Sequence, residues 1–178
     1  MLERADIAAA GLAELLIGDA LTATGTLAKQ LGLKPRADEL PRTFEELAAL
    51  RLATAELIFE QEGAQFQRLA APALLRRELS NELRRPTRIG SSRRRLLKGT
   101  SAAQLAGLVD ARKREYADIA TPAGVVDHHC RRLMEVTRRP MASSPAAWMA
   151  FRLAEVHAVQ MATATATNLV EDGWFDAG

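Results

Sequence analysis

A chain of 178 residues with 48% hydrophobic and 26% charged side chains is long enough to bury a core and too apolar to be disordered throughout. Thirty-four alanines and twenty-five leucines against eight aromatics point to helix, because these residues lose little freedom on entering one. The formal charge is only +2, and a single cysteine, Cys130, excludes an internal disulfide framework and suits a reducing compartment.

The first expected helix runs from Leu2 to Ala23, with Ile7, Leu12, Leu15, Leu16 and Leu21 at helical intervals, weakened at Gly18 and ended by Gly25. Thr26 to Leu31 makes a short turn before Gly32. The string TLAKQLGLKP has the look of an opening helix-turn-helix, although Pro35 and Pro41 interrupt the place where a recognition helix would begin. Thr43 followed by Glu46 spells a capping box, which starts the next helix at Phe44 and runs it to Glu62. Its apolar residues fall on two faces, Leu47, Leu50, Leu57 and Ile58 on one and Ala48, Leu52, Ala55 and Phe59 on the other, so it is central in the core or shared with a partner. Phe66 and Leu69 extend the second face past Gly63 toward Ala71.

Pro72 is placed to open a helix from Ala73 to Arg85 with a stripe of Leu75, Leu79 and Leu83, and Pro86 stops it. The following proline, glycines and serines mark residues 86–100 as a mobile loop or arm. Ser101 with Gln104 repeats the capping pattern for a helix to Ala120, whose narrow apolar face of Leu105, Leu108, Val109, Tyr116 and Ile119 contains Arg112, expected to snorkel over the core edge. Thr121 and Pro122 cap a helix to Arg139, with Val126, His129, Cys130 and Leu133 inward and Arg131, Arg132, Arg138 and Arg139 outward, where Asp127 and Glu135 are spaced to pair with them. Ser144 and Pro145 start a last helix to Val170 that is almost free of charge. It reads as a buried central helix or an assembly surface, with Trp174 and Phe175 in the tail free to dock onto a neighbour. The whole is an all-α bundle of about five to seven helices in one domain, residues 1–178.

Charge is sharply segregated. Arg76 to Lys98 holds nine basic residues against Glu78 and Glu82, a local +7, so the rest of the chain sums to −5. A separation of this kind marks a polyanion partner, RNA or DNA phosphate first among them. No aromatic platform accompanies the arginines, which argues for backbone contact without base readout. The acidic terminal thirds and the basic middle third also suit head-to-tail stacking of copies, hence self-association and other protein subunits as partners.

Catalytic chemistry is not apparent. His128, His129 and Cys130 are consecutive on a helix and point about 100° apart, so they do not converge on one ion. His157 lacks the Glu three residues earlier that di-iron bundles use. With no phosphate loop, nucleophile elbow or activated thiol, the expectation is a protein that is not an enzyme and has no metal or cofactor. The N-terminus carries Glu3 and Asp6 where a signal peptide would be basic, and the longest charge-free run, Val156 to Val170, is too short to span a bilayer, so the expected location is cytoplasmic with no membrane.

In size, helix content and basic loop the chain resembles the small helical subunit of CRISPR effector ribonucleoprotein complexes, which lines guide and target strands as several stacked copies. That resemblance implies that Arg76, Arg77, Arg84, Arg85, Arg88, Arg93, Arg94, Arg95 and Lys98 face nucleic acid, with Arg131, Arg132, Arg138 and Arg139 extending the track. Two alternatives stand beside it: a structural phage packaging or connector subunit whose arm docks on an acidic neighbour, and a helix-turn-helix DNA-binding regulator built on Thr26 to Pro35.

Overall fold

The computed structural model describes residues 4–34, 38–61, 70–84 and 99–176. Among them are six α-helices and no strand: α1 (Arg4–Leu31), α2 (Glu39–Gln61), α3 (Ala70–Arg84), α4 (Ala102–Tyr116), α5 (Pro122–Thr137) and α6 (Pro145–Glu171), with a 3-10 turn at Met141–Ser143. The all-α bundle expected from composition is the fold.

Helix α2 is its axis. It packs against all five other helices, which close a ring around it in the order α1, α3, α4, α5, α6. A hydrogen bond from His128 to Glu115 and one between Tyr116 and His129 join α4 to α5 within that ring. Both apolar faces read from the α2 sequence are used, with Leu47, Ala48, Leu50, Leu52, Ala55 and Phe59 all buried. The second face therefore belongs to the core and not to a partner.

Several boundaries differ from the expectation, each for a local reason. Helix α1 continues through Gly18 and Gly25 to Leu31. Burial of Leu27 and Leu31 outweighs the glycine cost of about 1 kcal/mol, and Thr22, Thr24 and Thr26 satisfy their hydroxyls on carbonyls one turn back. The true end is Gly32, at φ 64°, where Leu33 N–H donates to Ala28 O at 2.9 Å in a Schellman closure. Helix α2 begins at Glu39, not Phe44, and takes Pro41 into its first turn, where no amide hydrogen is needed. Thr43 does not cap it: its hydroxyl donates to Glu39 O at 2.5 Å. Helix α3 likewise starts at Ala70, ahead of Pro72. The expected extension through Phe66 and Leu69, and the arm at 86–98, lie outside the described residues.

Two of the three caps read beyond the arm form, while Ser144 precedes α6 at φ −155° and ψ 64° without a side-chain cap hydrogen bond. Ser101 Oγ accepts from Gln104 N–H at 3.0 Å and Thr121 Oγ1 from Gly124 N–H at 3.1 Å. The tail turns back onto its own bundle: Phe175 meets Phe59 edge to face with centroids 5.1 Å apart, and the Arg4 guanidinium sits 4.6 Å over the Trp174 ring. Helix α1 also holds a stretch long and apolar enough to cross a membrane, half of it buried inside the protein.

Candidate nucleic-acid interface

Three charges on α2 govern where the arginines of the folded body point. Glu46, Arg51 and Glu56 are five residues apart, so each successive side chain is rotated by about 140° and meets a different neighbour. All three are buried. A buried charge is stable only when paired and hydrogen-bonded, and the ring helices supply the partners.

Arg51 donates from Nε to Asp19 on α1 at 2.5 Å and from both terminal nitrogens to Glu155 on α6 at 2.8 and 2.9 Å. Glu46 accepts two hydrogen bonds from Arg112 on α4, at 2.7 and 2.9 Å. Arg112 is therefore buried and clamped, where the sequence suggested a snorkelling side chain. Glu56, fully buried, accepts two 2.6 Å bonds from Arg76 on α3 and one of 3.0 Å from Lys113.

The described members of the expected phosphate track divide accordingly. Arg76 also donates to Asp110 at 2.6 Å, and these carboxylates raise its already high pKa further while Asp110 is held below its usual range. Arg77 is exposed but bonded to Asp6 at 2.6 Å and Glu78 at 3.0 Å. Arg132 reaches Glu115 at 3.1 Å and Glu135 at 3.5 Å. Asp127, expected to pair with an arginine of its own helix, is taken by Arg152 of α6. That leaves Arg131 exposed and without an ion pair among the described residues. Arg84 at the end of α3 is exposed, as is Arg138, which occupies the left-handed C-cap of α5 at φ 53°. Arg139 bonds back to the carbonyls of Thr137 and Arg138, both at 3.4 Å. Arg85, Arg88, Arg93, Arg94, Arg95 and Lys98 lie outside the described residues.

The α3 and α5 arginines stand apart in the ring, with α4 between them, so the body does not gather one basic face. The described residues hold sixteen basic and twenty acidic side chains, whereas residues 85–98 hold six basic and none acidic.

The His128-His129-Cys130 string disperses. His128 donates to Glu115 at 2.8 Å. His129 is fully buried, 3.3 Å from the Tyr116 hydroxyl, and burial together with the charges of Arg51 and Arg112 holds its pKa well below the usual histidine value. Burial pushes the Cys130 thiol up to about 12. Among the described residues no group of three His, Cys, Asp or Glu is placed to hold a metal ion. In the helix-turn-helix reading α2 would be the recognition helix, yet it is buried on most sides and offers no face to a groove. Compared with protein-family models, curated proteins and solved structures, the chain matches none.

Proposed function

We propose that this protein is a non-catalytic helical subunit that holds RNA or DNA backbone through residues 85–98, within a larger ribonucleoprotein of the kind to which CRISPR small subunits belong. The observation that carries this reading is the division of labour among the cations. Six of the thirteen described arginines, Arg51, Arg76, Arg77, Arg112, Arg132 and Arg152, pair with carboxylates of their own fold, while the segment between α3 and α4 has six cations and no acid within it to neutralise them. Within the expected track, Arg84, Arg131 and Arg138 are exposed, have no ion pair among the described residues, and supplement that segment. Arginine contacts phosphate in bidentate fashion, as it does carboxylate, and contact with phosphate is indifferent to nucleic-acid sequence.

The test is the salt dependence of binding. Removing one cation from a phosphate lowers the slope of log affinity against log salt by roughly 0.7 to 0.9. Arg93, Arg94 and Arg95 changed together to alanine should flatten the slope by about two units or more, equally for two unrelated oligonucleotides, with helicity unchanged. The net acidic body supports a second reading, a connector subunit whose basic segment docks on the acidic surface of a neighbour. In that case the triple variant keeps its slope and releases a protein partner instead.

A further inference from the structure

Helix α6 has an unusual outer surface. From Pro145 to Asn168 its formal charges are Arg152, which turns aside to Asp127, and Glu155, which is buried against Arg51. The outward residues are uncharged: Ala146, Met149, Leu153, His157, Gln160 and Ala164 follow one another along the face. Leu153 is 63% exposed and Met161 53%. A helix that faces only water carries charge on its outer side, so seven turns without any need another explanation.

The groove beside this face gives it. Helices α1 and α6 run antiparallel and leave three adjoining hollows between them, of about 220, 300 and 190 Å³. Leu15 and Thr165 line both the first and the second, and Asp19 and Ala154 both the second and the third, so the groove is continuous from Ile7 to Gln30. Ala150, Ala154 and Ala158 line its α6 side beside the pair of Arg51 and Glu155, and the space beyond Gly11 and Gly18 is open. Exposed Ile7 and Leu15 form the α1 rim.

We infer that this groove receives α6 of a second copy of the chain, each copy laying its uncharged helix between α1 and α6 of the other. Three arguments select that occupant. The first is area: 27 residues make α6 about 40 Å long, and with the neighbouring α1 the strip is about 20 Å wide, on the order of 800 Å², the contribution of one partner to a stable interface. The second is self-complementarity. An antiparallel pairing about a two-fold axis at His157 sets the two large exposed side chains Leu153 and Met161 against each other and Ala150 against Ala164, with Ala146 against Asn168 and Gln160 against Ala154. The third is charge. The charged residues lining the groove are Asp19, Arg51 and Glu155, a net acidic set paired among themselves, whereas a face that rests on an anionic membrane or on nucleic acid is bordered by cations free to meet it. This dimer stands independently of the nucleic-acid reading.

The experiment uses the full-length chain, treated with nuclease and held at high salt so that nucleic acid bridges nothing. Sedimentation equilibrium at tens of micromolar should give twice the 19.4 kDa chain mass. Leu153→Asp, a change at an exposed site, should raise the dissociation constant about 100-fold or more, since two copies of the charge enter each interface, with the helical spectrum intact. In a second arm His157→Cys should form a disulfide-linked dimer on mild oxidation, while Gln104→Cys on the outer side of α4 should not. A monomeric wild type, a dimer indifferent to Leu153→Asp, or partition of the monomer onto phosphatidylglycerol vesicles would each overturn the inference.

Discussion

Arg51 on α2 grips Glu155 on α6 with two hydrogen bonds of 2.8 and 2.9 Å, with both side chains almost wholly removed from water. Neither group is stable there alone. The pair is the axle between the central helix and the helix that carries the uncharged outer face.

Breaking it from one side should therefore cost more than removing it. Arg51→Met leaves the Glu155 carboxylate buried without its partner and is expected to lower folding stability by about 3–5 kcal/mol. Combining Arg51→Met with Glu155→Leu replaces the pair by apolar atoms and should return most of that loss, because no buried charge then remains. Urea denaturation of the two single variants and the double variant measures the coupling. Additive losses would mean that the two side chains do not act as a pair.

Arg76 and the exposed arginines should respond in opposite ways. Arg76→Ala strips Glu56 of its bidentate partner, so stability should fall by about 3 kcal/mol while the salt slope of nucleic-acid binding stays as it was. Arg131→Ala with Arg138→Ala should leave stability within about 0.5 kcal/mol, and the slope should flatten by up to about 1.8 units if these side chains extend the phosphate track.

Two left-handed positions give a matched pair. Gly32 at φ 64° ends α1 and Arg138 at φ 53° ends α5. Gly32→Ala should cost about 1 kcal/mol, whereas Arg138→Gly should be stabilising by a similar amount, since a side chain is disfavoured in that conformation by about 1–2 kcal/mol. Thermal midpoints moving in opposite directions would bear this out.

His129 sets an acid limit. Its folded pKa lies well below the unfolded value, chiefly through burial and then through Arg51 and Arg112, so the unfolded chain binds the proton first. The stability associated with the neutral ring is complete above the unfolded pKa, near 6.5, and is lost as pH falls, at about 1.4 kcal/mol per unit. Glu115, although partly buried, is held below the usual carboxylate range by the His128 hydrogen bond and by Arg112 and Arg132, so its loss comes at lower pH. Unfolding free energy measured from pH 7 to 5 should fall in the wild type and flatten in His129→Gln.

Cys130 should be nearly inert while the chain is folded. With its thiol near 12, about one molecule in ten thousand carries the thiolate at pH 8, and alkylation at that pH should proceed at the rate of unfolding and accelerate in urea.

What the sequence made legible was local. Ser101 and Thr121 cap their helices because a cap needs only the next three residues, and the two apolar faces of α2 announce a central helix. Thr43 and Glu46 carry the same local signal and mislead, since Glu46 is drawn inward to Arg112, 66 residues away. The pairs 51–155 and 56–76, 104 and 20 residues apart, also join different helices, and periodicity has no means of matching them. Their trace was visible as charges stranded on apolar faces: Arg112 in its stripe, Glu155 in a helix almost without charge. Gly25 misled because helix propensity is weak beside the burial of Leu27 and Leu31. The segregated charge of residues 76–98 was plain, but which arginines are taken up by carboxylates depends on the ring of helices around α2.

The remoteness of Glu155 from Arg51 also imposes an order on biosynthesis. At a ribosome speed of about 5–20 residues per second, the 104 residues between them take roughly 5–20 s to make. Throughout that interval the nascent α1 to α5 carry a cation whose buried partner has not been synthesised and an apolar groove wall that does not yet exist. A chain released at residue 140 should stay chaperone-bound or be degraded, and the bundle should close only when its last helix leaves the exit tunnel.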